Sequence, residues 1–132
     1  MPTRILVADD SPPVRAAMRQ LLEGIEGWQI FEAENGKEAV VKAQEIRPSL
    51  IILDLAMPVM DGLTASREIT RLLPAIPILV HTLHGSPQIE VELRNMGVRK
   101  MIAKSDSNAL ISAVRELLSS EATARFATPE PI

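Results

Sequence analysis

Short, uninterrupted apolar runs alternate along this chain with longer segments in which apolar residues recur every three or four positions. Four of the runs are Ile5–Ala8, Leu50–Leu53, Ile78–Val80 and Met101–Ala103. A run of this length between helical patterns is typical of a strand buried on both faces of a parallel sheet. Residues 28–33 are less continuously apolar, which indicates a further strand nearer the edge of that sheet.

The segments between these runs have the spacing of amphipathic helices. Ser11 and Ser86 each precede a proline, a pair that suits a helix start because serine caps the first turn and proline gives up no hydrogen bond there. Asn35 marks the start of a further helix, and Gly97 the end of another. Five strands thus alternate with five helices, which predicts right-handed crossovers and a sheet covered on both faces.

The length of 132 residues suits one domain. We predict a folded domain over residues 3–121 and a flexible tail or linker stub over 122–132, where prolines 129 and 131 interrupt any regular pattern. The net charge of -3 disfavours direct binding of nucleic acid. Cysteine is absent, which excludes disulfides and thiolate metal sites. Neither a signal peptide nor a membrane span is indicated, so a cytoplasmic location is expected.

Polar residues of different kinds follow the apolar runs. Asp9 and Asp10 follow the first run, Asp54 the third strand, Thr82 the fourth and Lys104 the fifth. Ligands of open parallel sheets bind just outside the carboxyl ends of the strands. We therefore expect three carboxylates, a hydroxyl and an ammonium to meet at one edge of the sheet.

Three neighbouring carboxylates repel one another unless a cation neutralises them. At the end of a strand, Asp9 and Asp10 can both face solvent, and Asp54 next to them completes a set of oxygen ligands of the kind that Mg²⁺ prefers. Zinc is disfavoured because the pattern offers it no histidine or cysteine. Taken one at a time, each aspartate has an equally good ordinary role as a helix cap or a turn residue.

Thr82 and Lys104 indicate what the acidic cluster is for. A hydroxyl and a flexible ammonium can hold the oxygens of a phosphoryl group, and a carboxylate can itself be the nucleophile that forms an aspartyl phosphate. Considered singly, Thr82 is also an ordinary strand residue and Lys104 an ordinary solvated charge.

The chain resembles the receiver domain of two-component response regulators over about residues 3–120. The matching segments are Val7 to Ser11, Asp54 to Gly62 with the sequence DLAMPVMDG, His81-Thr82, and Gly97 followed seven positions later by Lys104. The segment that begins at Asp54 is the most specific of these. The resemblance implies a flavodoxin-like α/β fold: a doubly wound, five-stranded parallel sheet with strand order 2-1-3-4-5 and five helices.

The resemblance also implies a function. Asp54 would accept a phosphoryl group from a phosphohistidine of a sensor histidine kinase or phosphotransfer protein. Asp10, Asp54 and the main-chain carbonyl of Ala56 would bind Mg²⁺ directly, and Asp9 would act through water. Thr82 would move toward the phosphate and Lys104 would pair with it. The switched surface, around the fourth helix, fifth strand and fifth helix, would then control a downstream partner or output domain, or a phosphorylation-dependent homodimer.

Several positions depart from the family pattern. Met101 stands where receivers usually carry Tyr or Phe, and Leu83 stands where a small residue is common. His84 offers a pH-sensitive contact or is an ordinary surface residue. Ser105 replaces a frequent proline and is expected to cap the last helix, as Asp61 is expected to cap the third. Met96, Val98 and Met101 belong either to a partner surface or, as their spacing favours, to the core.

Three other functions remain open. An aspartyl-phosphate phosphohydrolase needs a second catalytic aspartate shortly after the nucleophile, but Ala56 occupies the obvious place. An adaptor that acts without phosphorylation usually loses acidic or lysine positions, and none is lost here. The amino-terminal part of a transcription factor is compatible with the proline-bearing tail. We therefore expect a phosphorylated switch with no enzymatic activity of its own.

Overall fold

The computed structural model describes the backbone of residues 3–25, 27–83 and 85–126, and the side chains of these ranges up to residue 119. The strands are β1 (Arg4–Ala8), β2 (Gln29–Ala33), β3 (Leu50–Leu53), β4 (Ile78–Thr82) and β5 (Lys100–Ala103). The helices are α1 (Pro12–Glu23), α2 (Gly36–Ile46), α3 (Gly62–Leu72), α4 (Pro87–Met96) and α5 (Ser107–Phe126). The predicted alternation of five strands and five helices is confirmed.

The five strands form one parallel sheet in the order β2-β1-β3-β4-β5, as predicted. The weakly apolar β2 lies at one edge, which agrees with its sequence pattern. Its first residue is Gln29, one position later than expected. Ala8 pairs with Leu53, and Thr82 pairs with Ala103. The residues that follow these pairs therefore emerge together at the carboxyl edge of the sheet.

Alternate residues of each strand contribute to two apolar cores, one on each face of the sheet. The first core packs the sheet against α2, α3 and α4, and the second packs it against α1 and α5. The central strands β3 and β4 are buried along their whole length, as a strand covered on both faces requires. Val98 is buried and Met96 and Met101 pack against the first core, so the core assignment of these three residues is confirmed.

Most helix starts follow the sequence signals. The side chains of Ser11, Asn35, Asp61 and Ser86 accept hydrogen bonds from the third residue beyond each of them, as N-caps do. The predicted cap at Ser105 is wrong. Helix α5 begins at Ser107, and the Asp106 carboxylate accepts the hydrogen bond from the main chain of Ala109 at 2.9 Å. A carboxylate at this position also interacts favourably with the helix dipole.

Helix α5 continues to Phe126 and thus passes the predicted domain boundary at residue 121. The rest of the predicted tail, residues 127–132, lies outside the described residues, as does His84, for which a pH-sensitive contact and an ordinary surface position were both open. Among the described helices, none combines the length and the apolarity that a membrane crossing requires.

Candidate functional site

Three carboxylates meet at the carboxyl edge of the sheet. Asp9, Asp10 and Asp54 each offer one oxygen, and these oxygens lie within 4.8 Å of one another. The strand register produces this proximity, because the main-chain N–H of Asp54 donates to the carbonyl of Ala8 at 3.0 Å. Asp10 faces solvent, as expected, but Asp9 is 1% exposed and Asp54 is 5% exposed. The expectation that Asp9 faces solvent beside Asp10 is therefore wrong.

Lys104 makes the burial of these charges tolerable. Its Nζ lies 2.7 Å from Asp9 Oδ2 and 3.0 Å from Asp54 Oδ2. Burial by itself lowers the pKa of Lys104, but the contacts with Asp9 and Asp54 outweigh burial and raise the pKa above its ordinary value. The side chain is therefore a fixed cation, and it bridges two carboxylates that would otherwise repel each other.

Thr82, the last residue of β4, is 3% exposed. Its main-chain carbonyl accepts a hydrogen bond from the N–H of Lys104 at 3.1 Å. The ends of β4 and β5 are therefore joined, so the hydroxyl of Thr82 and the ammonium of Lys104 lie at the same edge of the sheet.

The loop after Asp54 is packed tightly against the strand that precedes it. The N–H of Gly62 donates to the carbonyl of Leu55 at 2.8 Å, and a Cβ at Gly62 would lie 2.0 Å from the carbonyl oxygen of Asp54. The predicted cap at Asp61 is confirmed, since its Oδ1 accepts from the N–H of Thr64 at 2.7 Å. Ala56 is exposed in this loop. A close backbone approach that excludes any side chain therefore fixes the loop beside Asp54.

Met101 and Leu83 line an open pocket of about 410 Å³ next to Thr82. Met101 lies over Gly85, where a Cβ would come within 2.8 Å of its Cε and within 3.5 Å of Thr82 Cγ2. Leu83 is 69% exposed. The flexible methionine thus fills the space between β5 and the loop that follows β4, and Leu83 points its apolar surface outward.

His81 is a buried polar residue to which the sequence pattern assigned no role. It is 6% exposed, and its Nδ1 has no hydrogen-bond partner among the described residues. Burial lowers the pKa of His81 and the Lys104 charge lowers it further, while Asp9 and Asp54 act in the opposite direction with less effect. The side chain is therefore neutral at pH 7.

Arg15 is a second residue without a sequence prediction. Its Nη1 donates to the main-chain carbonyl of Asp9, and its Nε donates to Glu32 Oε1 at 3.0 Å. The amino-acid sequence holds no signal for this contact, because Arg15 lies on α1 and Glu32 on β2, and the two elements meet only when the helix packs against the sheet.

The donor set fits a hard divalent cation. All three groups of the cluster are carboxylates, which Mg²⁺ prefers as ligands. Asp9 Oδ2 is buried, and the ammonium of Lys104, which lies 2.7 Å from it, also contacts Asp54. One ammonium balances only one of the three negative charges of the cluster, so a further cation would be favourable at this place.

The sheet order, the acidic cluster and the lysine opposite it define a receiver-type α/β domain. The family model for the response regulator receiver domain matches residues 5–115, and the chain belongs to this family. It is a receiver domain of two-component signalling. The sequence interpretation of family and fold is therefore confirmed.

Relatives and solved structures agree with this assignment. The chain is 30% identical to the response regulator GacA of Pseudomonas protegens over 96% of this chain and 59% of that protein. It is 39% identical to a protein-glutamate methylesterase/protein-glutamine glutaminase of Caldanaerobacter subterraneus over 76% of this chain and 28% of that protein. The chain therefore spans less than two thirds of the length of these two relatives.

The fold is also found in a crystallised two-component response regulator of the LuxR family from an Aurantimonas species. The two structures have a TM-score of 0.85 and 30% sequence identity, and the match covers 91% of this chain and 87% of that one. The receiver domain of CheB from Thermotoga maritima matches with a TM-score of 0.77 and 27% identity over 98% of this chain and all of that one. The protein-glutamate methylesterase relative described above is much longer than this chain, which matches only 28% of it.

Proposed function

We propose that Asp54 is the phosphoryl acceptor of this receiver domain and that Lys104, Thr82 and the acidic pair Asp9 and Asp10 support the transfer. The observation that carries this proposal is the contact of Lys104 Nζ with Asp54 Oδ2 at 3.0 Å inside a cluster of three carboxylates. A structural ion pair alone gives no reason to gather two further carboxylates around it, because their repulsion costs free energy.

The chemistry follows from the position of Asp54 at a rigid edge. A carboxylate oxygen of Asp54 attacks the phosphorus of a phosphohistidine, the P–N bond breaks, and the imidazole leaves as a P–O bond forms. The ammonium of Lys104 is already beside Asp54 and pairs with the oxygens of the transferred group. Thr82 supplies a hydroxyl at the neighbouring strand end. The tight packing of Gly62 against Asp54 keeps the acceptor in place during the reaction.

Asp10, Asp54 and the carbonyl of Ala56 would hold Mg²⁺, and Asp9 would contribute through water. When bound, the metal ion neutralises charge on the phosphoryl group and on the acceptor. The three carboxylates would then be balanced by Mg²⁺ and Lys104 together. This balance would account for the burial of Asp9 within 4.8 Å of two other acidic groups.

The phosphoryl donor is proposed to be a sensor histidine kinase or a phosphotransfer protein in the cytoplasm, and the target a downstream protein or output domain. The shift of Lys104 from the Asp54 carboxylate to the phosphoryl group upon phosphorylation would be transmitted through β5 to Met101. The pocket beside Thr82 gives the Met101 side chain room to change its rotamer. The similarity to GacA and to the methylesterases concerns the receiver part, so we assign no enzymatic activity to this domain.

The acceptor is tested by incubating the protein with a small phosphodonor such as acetyl phosphate and Mg²⁺, followed by intact mass spectrometry. Wild type is expected to gain one phosphoryl group, and Asp54→Asn none. Asp61→Asn is the matched control, because asparagine keeps the helix cap and Asp61 lies in the same loop. Labelling of Asp54→Asn at the wild-type level, or of none of the proteins, would contradict the assignment.

The switch is tested with a beryllofluoride phosphate mimic and amide spectra. We expect shifted signals at Thr82 and Met101 in the wild type and unchanged signals in Asp54→Asn. Wild-type signals at these two residues that do not respond to the mimic would argue against transmission through β5.

A further inference from the structure

A chain of contacts joins the acidic turn to the edge strand β2. The N–H of Asp9 donates to the carbonyl of Ala33 at 3.1 Å, so one side of the Asp9 backbone is tied to β2 directly. The carbonyl of Asp9 is tied to the same strand through Arg15, whose Nη1 donates to it and whose Nε donates to Glu32 Oε1 at 3.0 Å. Both main-chain groups of Asp9 are thereby anchored to one strand.

This anchor determines where Asp10 lies. The carbonyl of Asp9 and the N–H of Asp10 belong to one planar peptide unit, so an orientation imposed on the oxygen is passed to the backbone of Asp10. The Asp10 side chain faces solvent, and no hydrogen bond or ion pair with another described residue restrains its carboxylate. The position of the carboxylate therefore depends on the main chain that carries it.

We propose that Arg15, held by Glu32, is a positioning residue that orients the Asp9–Asp10 peptide and thereby raises the affinity of the acidic cluster for Mg²⁺. The proposal rests on the function proposed above for this cluster. Arg15 need not touch the metal ion or the phosphoryl group, and it acts through the carbonyl of Asp9.

The charge of Arg15 would by itself have the opposite effect. A guanidinium close to the acidic cluster repels a cation, so its removal would raise the affinity for Mg²⁺ if charge alone mattered. The salt bridge to Glu32 reduces this repulsion, because the carboxylate of Glu32 partly neutralises the charge of the guanidinium. The sign of the change in affinity therefore separates positioning from simple electrostatics.

Arg19 offers a matched control. Its Nε donates to the other oxygen of Glu32 at 2.7 Å, and it also pairs with Glu23. Arg19 lies one turn after Arg15 on the same helix and also pairs with Glu32, but its hydrogen bonds go to Glu32 and Glu23 and not to Asp9. A variant at Arg19 loses a comparable salt bridge and a comparable charge while the contact with the Asp9 carbonyl stays in place.

The test is a Mg²⁺ titration of the unphosphorylated full chain, followed through the amide signals of Asp10 and Ser11, for Arg15→Met, Glu32→Ala, Arg15→Lys and Arg19→Met. We expect Arg15→Met to bind Mg²⁺ about tenfold more weakly than wild type, the lower end of the effect known for outer residues that orient metal ligands. Glu32→Ala and Arg15→Lys should weaken binding in the same direction, and Arg19→Met should bind as wild type does. Thermal unfolding of each variant without Mg²⁺ checks that it is folded.

Tighter binding by Arg15→Met would overturn the proposal in favour of a purely electrostatic effect. Equal affinities for all variants would overturn it as well, and so would equal losses in Arg15→Met and Arg19→Met. Because no phosphodonor is present, these outcomes are distinct from failure of the acceptor assignment. If Mg²⁺ binding follows the expected order while Asp54→Asn is still labelled, the positioning role stands and the acceptor is a different residue.

Discussion

Lys104 Nζ and Asp54 Oδ2 lie 3.0 Å apart, although fifty positions separate the two residues in the sequence. The same ammonium lies 2.7 Å from Asp9 Oδ2, so a single lysine neutralises two carboxylates that are almost fully buried. Removing it leaves both negative charges without their partner, and uncompensated buried charges are among the most costly defects of a folded protein.

Lys104→Met is therefore expected to lower the free energy of unfolding by about 3 kcal/mol in the absence of Mg²⁺. Added Mg²⁺ should restore much of this loss, because a cation bound among the three carboxylates takes over part of the neutralisation. Urea unfolding of wild type and variant, each with and without Mg²⁺, measures both effects.

Lys100→Met is the control for this prediction. Its ion pair with Glu116 has side chains that are 35% and 62% exposed, so the loss should be below about 1 kcal/mol and independent of Mg²⁺. A Lys104 variant that is as stable as wild type would show that the acidic cluster does not need the ammonium for folding.

Gly62→Ala is expected to destabilise the protein because the added Cβ would lie 2.0 Å from the carbonyl oxygen of Asp54 and 2.7 Å from Leu55 Cα. Both contacts are with the main chain, which cannot give way as a flexible side chain would, so we expect a loss of about 3 kcal/mol. The same strain should slow phosphorylation, since it displaces Asp54. Urea unfolding and the rate of labelling by a small phosphodonor measure the two effects.

Gly24→Ala provides the comparison, since its Cβ would be 3.6 Å from the nearest main-chain atom and its backbone is in the right-handed helical region. This change should be neutral or slightly stabilising. Equal stabilities of the two alanine variants would mean that the loop after Asp54 adapts to a side chain without cost.

Val59→Asn is expected to stabilise the protein by about 1 kcal/mol. Val59 has a φ of 70°, a left-handed conformation that is strained for a β-branched residue and more accessible to asparagine. The side chain is 78% exposed, so little apolar burial is lost. Thermal unfolding checks the gain, with Val41→Asn on the exposed face of α2 as a control that should show none. Equal melting temperatures for Val59→Asn and wild type would contradict the expected relief of strain.

His81 makes the stability depend on pH. Its pKa in the folded protein is below the ordinary value of 6.5, so the unfolded chain binds the proton more readily than the folded one. The contribution of His81 to stability is complete well above pH 6.5 and is lost progressively as the pH falls below that value. Lys104, Asp9 and Asp54 are the charged groups that act on this imidazole.

The His81→Phe variant should lose this part of the pH dependence. We expect the difference in unfolding free energy between wild type and variant to change between about pH 7 and pH 5, with wild type losing more on acidification. Urea unfolding across this range provides the measurement. A difference that stays constant with pH would assign the acid sensitivity to carboxylates instead of His81.

The sequence predicted much of the fold because its signals are local. Four apolar runs and one less continuous segment indicated the five strands. Helix starts lay at Ser11, Asn35, Asp61 and Ser86, each of which accepts a hydrogen bond from the residue three positions later. The predicted cap at Ser105 was wrong because Asp106, the next residue and an equally good capping type, takes that position in the structure. Which of them lies at the helix boundary depends on how β5 turns into α5.

The sequence predicted which residues converge at the site but not the contacts that they make with one another. Strand ends of a parallel sheet must meet at one edge, so Asp9, Asp10, Asp54, Thr82 and Lys104 were expected to converge. The burial of Asp9 was not foreseen, because it depends on the reach of Lys104 across the sheet. Burial is a property of the assembled layers, and no local pattern contains it.

The sequence by itself thus determined the order of elements, the family and the residue types that meet at the sheet edge, since each follows from periodicity or from a contiguous motif. Only the tertiary structure decided that one ammonium bridges Asp9 and Asp54, that His81 is buried with no partner for Nδ1 in the described part of the chain, and that Arg15 connects Glu32 to the acidic turn. These contacts join distant parts of the chain, and their geometry is set by the packing of helices against the sheet.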